Sequence, residues 1–237
     1  MAPTRTARLV IALLGFLPSA PVCAQVCDAF PSLRDRHFRV AANAASYTYA
    51  TELGASVAAG NAIYGVIAVG RTQNSDLDAS TFDVRLQAGV DVPLGRAHRV
   101  FLCPVVAYWR SYGPNDFLLT HEDYRYTTRG LGLGLATVAA QARRLTVLLS
   151  GGLRVSGLTT SRTGWPTVNN TYRLWTFGVG LVLDGMLTVR PSMTIPSGFV
   201  PPGTPTDYAV PFGREEGEVS LGISVAVNLG RRSPSSD

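Results

Sequence analysis

Apolar and polar residues alternate at every second position over much of the chain. Across residues 81–94 each even-numbered residue, from Phe82 to Leu94, is apolar, whereas the odd-numbered ones are polar, small or proline. The last such stretch repeats the pattern, with apolar residues at every odd position from Val219 to Leu229. A period of two places all the apolar side chains on one face of a β-strand. The pattern therefore predicts an all-β protein.

The same alternation divides the chain into ten predicted strands. They span residues 37–45, 50–60, 62–72, 81–94, 99–112, 128–141, 145–158, 173–184, 186–197 and 216–229. Tight turns at 60–61, 95–98, 142–144 and 184–185 alternate with longer links near 73–80, 113–127, 159–172 and 198–215. Short turns at one rim and long loops at the other are typical of an up-and-down barrel. Both chain ends should lie at one rim, which favours ten strands over nine, with eight as the alternative.

Strand length distinguishes a membrane barrel from a soluble β-sandwich. Strands of soluble proteins average about 5–6 residues, whereas a tilted strand needs ~9–11 to cross the hydrocarbon layer. Several alternating runs reach the longer value, and their second face is rich in Gly, Ser, Ala and Thr. A sandwich would instead bury its large apolar residues inside. We therefore expect residues 37–229 to form a closed antiparallel transmembrane β-barrel with its apolar face toward lipid.

The N-terminal residues 1–24 have the organisation of a secretory signal peptide. Arg5 and Arg8 precede an apolar run over residues 9–17, and Val22-Cys23-Ala24 provides a small-residue cleavage site. This run is shorter than the ~20 residues of a membrane-spanning helix. Residues 25–36 are then expected to be a periplasmic lead-in to the barrel, and residues 230–237 a short C-terminal tail.

Composition and charge exclude several function classes. The 237 residues are 16% charged with a formal net charge of +5. Removing the leader takes away two of 21 basic residues and no acid, so 19 basic residues face 16 acidic ones, a net charge of +3. No arginine run exceeds a pair, which argues against nucleic-acid binding. Two remaining cysteines without clustered histidines argue against a metal site, and no motif indicates a cofactor.

Besides the leader, two features resemble the small outer-membrane β-barrel proteins of Gram-negative bacteria, the OmpA-like and opacity-protein-like group. One is the dyad repeat of residues 131–135, and the other is the closing strand, where Ser220, Gly222, Val225 and Val227 resemble the signal read by the barrel assembly machinery. The family usually ends on an aromatic residue, whereas this strand ends on Leu229 with eight residues following. The resemblance implies a monomer in the outer membrane, in contact with its lipid and with that machinery.

Charged residues recur on the predicted polar face and therefore point into the barrel. These residues are Arg39, Glu52, Asp83, Arg85, Asp91, Arg154, Arg190 and Glu218. Arg39, Asp91 and Arg190 are expected nearer the periplasmic end of the barrel. The residues expected nearer the outside are Glu52, Asp83, Arg154 and Glu218. Because an unpaired charge in a confined lumen is costly, the mixed signs predict a salt-bridged interior rather than a wide, ion-selective pore.

Cys27 and Cys103 are both expected near the periplasmic rim. In an oxidising compartment they can form a disulfide that ties down the N-terminal segment; alternatively, both remain free thiols. Aromatic residues near strand ends predict a girdle at the membrane interface. Its candidate members are Tyr47, Tyr49, Tyr108, Trp109, Tyr112, Tyr126, Tyr172 and Trp175.

Three functions are compatible with this architecture. The leading one is a structural, adhesive or interaction role, with a possible extracellular ligand held by the long loops. The runner-up is a narrow channel for ions or small solutes. The third is a barrel enzyme that uses His121, next to Glu122 and Asp123 in a long loop. A single histidine beside two acids is more typical of a hydrated loop tip, so we expect no enzyme; His37 and His98 lie at predicted strand starts or turns.

Overall fold

The protein is an all-β barrel built from consecutive antiparallel strands. The computed structural model describes residues 26–31, 38–46, 50–61, 63–74, 79–95, 99–113, 124–162, 166–197 and 219–229. The strands are β1 (Phe38–Ser46), β2 (Ala50–Gly60), β3 (Ile63–Asn74), β4 (Ala79–Val90), β5 (Val92–Leu94), β6 (Val100–Gly113), β7 (Tyr124–Gln141), β8 (Leu145–Arg162), β9 (Val168–Leu183), β10 (Leu187–Ser197) and β11 (Ser220–Leu229). A single 3₁₀ turn, Val26–Asp28, precedes β1.

Consecutive strands pair with each other, except that β4 and β5 both pair with β6, and the first strand pairs with the last. β1 and β11 are antiparallel over their whole length, from Phe38 opposite Leu229 to Ser46 opposite Leu221. β4 and β5 both pair with β6 in one continuous register, so they are two parts of a single barrel strand. The sheet therefore closes with ten barrel strands. This confirms the predicted fold and excludes the eight-stranded alternative.

Proline residues account for two interruptions of the hydrogen-bond ladder; a third irregularity is the register shift between Val138 and Ala140 of β7 against β8. In the β4–β6 register Val90 and Asp91 lie opposite Pro104 and Cys103, between the paired segments on either side. Proline has no N–H to donate, so the ladder breaks there. Pro191 interrupts the pairing of β9 with β10 in the same way. The chain direction continues through both breaks, and the barrel stays closed.

The outer surface of the barrel is apolar. The exposed large hydrophobic residues alternate along every long strand; on β7 they are Leu131, Leu133 and Leu135, and on β11 they run from Leu221 to Leu229. The charged residues that the sequence assigned to the polar face lie inside wherever they are described. This is the reverse of a soluble β-protein, whose large apolar side chains would be buried.

The connections from β2 to β3, β5 to β6, β7 to β8 and β9 to β10 lie at one end of the barrel, here called the short-turn rim, whereas the short connection from β1 to β2 lies at the other end. Between β9 and β10 the turn is Asp184-Gly185, with φ angles of 49° and 65°. Two successive positive φ angles define a type I′ turn, which Asp-Gly favours. The backbone N–H of Met186 donates to the carbonyl of Leu183 at 2.9 Å and closes this turn. The opposite end is the long-loop rim.

Three of the predicted long links are shorter than expected. β3 ends at Asn74 and β4 starts at Ala79, which shortens the link near 73–80. β8 continues to Arg162 and β9 starts at Val168, with Thr160 paired to Val168 at the end of the ladder. Similarly, β7 starts at Tyr124. These strand tips lack apolar alternation because they extend beyond the apolar band, yet their backbones remain paired. Residues 198–215, the leader and the C-terminal tail lie outside the described part of the chain.

Among the described residues, no helix has the length and apolar character needed to cross a bilayer.

Candidate functional site

The lumen of the barrel contains part of the N-terminal segment. Residues 26–31, here called the plug segment, lie against inward-facing residues of β6, β7 and β8 near the short-turn rim. Ala29 is fully buried, and Phe30 is only 6% exposed. Over these residues the predicted periplasmic lead-in lies inside the barrel. Burial of the Phe30 side chain removes apolar surface from water and stabilises this position by roughly 1.5–3 kcal/mol.

Glycines in the barrel wall make room for the plug segment. A Cβ atom at Gly180 would overlap the carbonyl oxygen of Ala29, and one at Gly178 would lie 3.4 Å from the Ala29 Cβ. On β7, on the other side of β8, a Cβ at Gly134 would lie 3.2 Å from the Cys27 Cβ. A narrow barrel holds a backbone segment in its lumen only where the wall side chains are this small.

An apolar patch on four neighbouring strands, β6 to β9, packs against Ala29. It consists of Phe101, Ala136, Leu148 and Val182, all buried and here called the apolar collar. These side chains point inward, against the general rule that the apolar face of this barrel is outside. The collar and Ala29 of the plug segment together form an apolar cluster inside the barrel near the short-turn rim.

A disulfide joins the plug segment to the barrel wall. Cys27 and Cys103 are bonded, with their Cα atoms 6.0 Å apart. Asp91, fully buried at the break between β4 and β5, places Oδ1 3.0 Å from Cys103 Sγ. These three residues also form a cluster of potential metal ligands. With both sulfur atoms in the disulfide, the cluster offers one carboxylate, fewer than the three or four ligands of a protein zinc site.

Two arginines contact the ring of Phe30. The guanidinium carbon of Arg39 lies 3.8 Å from the ring centroid, and that of Arg190 lies 5.4 Å away. Cation–π contacts of this kind stabilise a buried cation where water is excluded. Beside them, Gln87 Nε2 donates a hydrogen bond of 3.1 Å to the Asp28 carboxylate. The plug segment is thus held by a covalent bond, ring stacking and a polar contact.

Three charged residues meet farther along the lumen. Arg85 bridges Glu52, at 2.5 Å, and Asp83, at 2.6 Å. Both carboxylates are buried, whereas the Arg85 side chain is 38% exposed to the lumen. An arginine between two acids satisfies charges that would be costly if left alone in a narrow interior.

The predicted charge network is therefore divided into groups. Arg85 meets Glu52 and Asp83, Arg39 and Arg190 flank the plug segment, and Asp91 lies beside the disulfide. Arg154 stacks on the ring of Trp109, 4.7 Å from its centroid. The eighth candidate, Glu218, lies outside the described residues.

Two candidates for the interfacial girdle face the lumen instead. Trp109 is 9% exposed and forms an edge-to-face pair with the buried Tyr172, with ring centroids 6.4 Å apart. Trp175 does face outward and is 43% exposed. Trp109 has the parity of the buried Phe101 and Cys103 on β6, so strand parity, not aromatic character, determines its direction. The side chains of Tyr47, Tyr49, Tyr112 and Tyr126 lie outside the described part.

Polar cavities extend from the plug segment toward the long-loop rim. Two cavities, of about 280 and 250 Å³, share Asp28, Arg85 and Arg190 among their lining residues. The first reaches Thr194, and the second reaches Thr72 on the way to the long-loop rim. Because they share so much of their lining, the cavities are neighbouring parts of one polar interior bounded below by the plug segment.

The candidate assembly signal is divided between the two faces of β11. Ser220 is buried and Gly222 lies between close neighbours in the lumen, whereas Val225 and Val227 are exposed on the outer surface. The three histidines, including His121, fall outside the described residues.

Comparison with known proteins supports the fold. No protein-family model matches the chain, and no curated protein sequence is similar to it. Among solved structures, the translocator domain of autotransporter NalP from Neisseria meningitidis is similar with a TM-score of 0.51 and 14% identity, covering 94% of this chain and 97% of that one.

Two other barrels are similar at lower scores. The N-terminal β-barrel domain of Pseudomonas aeruginosa OprF has a TM-score of 0.33 and 12% identity, covering 80% of this chain and 95% of that one. OmpT of Vibrio cholerae has a TM-score of 0.36 and 11% identity, covering 90% of this chain and 70% of that one. The shared fold is accordingly supported by the translocator-domain barrel, together with the closed strand order.

Proposed function

We propose that this protein is an outer-membrane β-barrel of a Gram-negative bacterium whose lumen is closed by its own plug segment. The exposed apolar residues around the barrel match a lipid environment, in which only helices and closed barrels satisfy their backbone hydrogen bonds. The fold shared with the NalP translocator domain supports the same environment.

The orientation follows from the two rims. In outer-membrane barrels the short turns are periplasmic and the long loops are extracellular. The plug segment and the Cys27–Cys103 disulfide then lie at the periplasmic end, where disulfides persist. The closing strand would be presented to the barrel assembly machinery by Ser220, Gly222, Val225 and Val227, and the barrel would be monomeric.

One observation carries this proposal: the disulfide-linked plug segment is buried inside the barrel, with Ala29 against the apolar collar and Phe30 against Ala41 and Ala226. A barrel closed in this way acts through its surface rather than as an open pore. The role is thus structural or adhesive, with any extracellular ligand bound by the loops of the long-loop rim.

Conductance of the refolded, oxidised protein in a planar lipid bilayer tests this function. Barrel closure is first checked on detergent gels, where unboiled and boiled samples should migrate differently. The oxidised barrel is expected to insert without discrete conductance steps. Stable open steps from the oxidised, gel-verified barrel would contradict the proposed closed lumen.

A catalytic role for His121 is a separate question with its own test. A hydrolytic activity that is measured in the folded barrel and lost in His121→Ala would favour an enzyme. We propose instead that the barrel is not an enzyme, since the described lumen residues provide ion pairs and packing contacts rather than an acid–base pair facing a substrate cavity.

A further inference from the structure

The plug segment is short, and apart from the main chain that continues into β1, one covalent bond, the Cys27–Cys103 disulfide, connects it to the wall. Its packed apolar groups are Ala29, within the collar, and Phe30, next to Ala41 and Ala226. The free energy gained by packing two side chains is small compared with the conformational entropy that a short segment gains when it is released. The Cys27–Cys103 disulfide removes most of that freedom by fixing the segment to β6.

Behind the plug segment lies the polar interior rather than a packed core. Both lumen cavities have Asp28 of the plug segment in their lining, and they continue past Arg85 and Arg154. Displacement of the plug segment would connect this interior to the short-turn rim, because the collar residues line the wall around Ala29.

The disulfide is accessible from the lumen on one side. Cys27 lines the lumen cavity of about 280 Å³ and is partly exposed, whereas Cys103 is fully buried. An attacking thiolate would therefore reach Cys27 Sγ first and release the sulfur of Cys103.

We infer that the plug segment is a gate locked by the Cys27–Cys103 disulfide, and that reduction of this bond opens the lumen to small anions. This inference rests on the proposed closed barrel. The reductant is a dithiol: its two thiols transfer two electrons and two protons, the Cys27–Cys103 bond breaks, both cysteines become thiols, and the dithiol closes to a cyclic disulfide.

The charges of the lumen determine which solutes pass. Among the described residues that line the cavities, Arg39, Arg85, Arg154 and Arg190 face Asp28, Glu52 and Asp83. Asp28 leaves with the plug segment, while Asp91 at its base becomes accessible. Four arginines then face three carboxylates, and this excess of positive charge favours small anions over cations.

The test compares conductance before and after reduction of the same inserted barrel. Dithiothreitol added to the chamber is expected to produce discrete steps, and oxidation to a disulfide to abolish them. In a potassium chloride gradient the reversal potential should have the sign of chloride selectivity. Maleimide labelling of the recovered protein verifies that both thiols are free.

Two single variants provide the matched controls. Cys27→Ser and Cys103→Ser each remove the bond, so both should conduct without reductant and be insensitive to it. If only one of them conducts, the lock is not the bond itself. Barrels with verified free thiols and native gel mobility that stay silent would overturn the gate, while the closed oxidised state would still stand. Steps already present in the oxidised barrel would instead contradict the proposed function.

Discussion

At the residue scale, small side chains at a few positions decide where the plug segment lies. Gly180 has no room for a side chain, because its Cβ would overlap the carbonyl oxygen of Ala29. Gly152 on β8 faces the same lumen, but a Cβ there would lie 3.5 Å from its nearest neighbours, an ordinary contact. Gly180 is therefore required by the plug segment, whereas Gly152 is not.

Gly180→Ala is therefore expected to destabilise the plugged barrel, whereas Gly152→Ala is not. Overpacking in a filled interior costs about 1–3 kcal/mol. Unfolding in urea, followed by the loss of the unboiled gel band, measures the free energy of unfolding of both variants. A Gly180→Ala barrel as stable as the Gly152→Ala barrel would show that the plug segment does not contact β9 as described.

The buried Asp91 is expected to slow reduction of the disulfide. Its carboxylate lies 3.0 Å from Cys103 Sγ, the sulfur that leaves as a thiolate when Cys27 is attacked. A neighbouring negative charge makes that thiolate a poorer leaving group, so Asp91→Asn should speed reduction on the order of fivefold. Maleimide labelling at fixed dithiothreitol concentration gives the rate. Asp184→Asn, the same change in an exposed turn, serves as control, and equal rates in both variants would refute the effect.

At the element scale, the alternation of apolar and polar residues predicts most of the strands. The predicted strands over 50–60 and 145–158, for example, start where β2 and β8 start, because alternation and turn residues coincide there. The polar tips of β8 and β9 were missed because backbone pairing continues where apolar alternation has ended. Trp109 and Tyr172 were placed in a girdle by residue type, although Trp109 has the parity of inward residues.

The depth of a lipid-facing residue in the bilayer can be tested by placing an arginine at two positions along one strand. Val225 and Leu229 lie on the same face of β11 with 44% and 45% exposure, but Val225 is central and Leu229 ends the strand. Arginine should cost about 2–4 kcal/mol at the bilayer midplane and about 0–1 near the interface.

Unfolding of the refolded barrels in lipid vesicles measures both variants. Val225→Arg is expected to be the less stable by roughly 2 kcal/mol or more. Equal stability of Val225→Arg and Leu229→Arg would mean that β11 does not cross the hydrocarbon layer in the assigned orientation.

At the scale of the whole molecule, ten strands form a wall whose interior is closed by the N-terminus of the same chain. The closure and strand number could be predicted from alternation, turn spacing and the need for both ends at one rim. The location of the plug segment could not be predicted in this way, because a stretch of six residues has no periodicity. Its position depends on a disulfide to Cys103, 76 residues along the chain from Cys27, and on glycines in β7 and β9. Only the pairing of Cys27 with Cys103 indicated that this segment stays close to the barrel.

The arrangement assigns separate tasks to the two faces of the wall. Apolar side chains outside favour lipid, while arginines and acids inside neutralise one another around the plug segment and the cavities. Exchange of these faces, with the apolar side chains inside, would place Arg85 in solvent and leave the plug segment without a lumen.

Tryptophan quenching by brominated lipids tests this arrangement most directly. Variants that retain either Trp175 or Trp109 as the sole tryptophan, with the others replaced by phenylalanine, are refolded into vesicles whose acyl chains carry bromine. Trp175, exposed on the outer surface, should be strongly quenched, and Trp109, buried in the lumen, should not. Equal quenching of the two, or stronger quenching of Trp109, would contradict a barrel with its apolar face in lipid and its charged face inside.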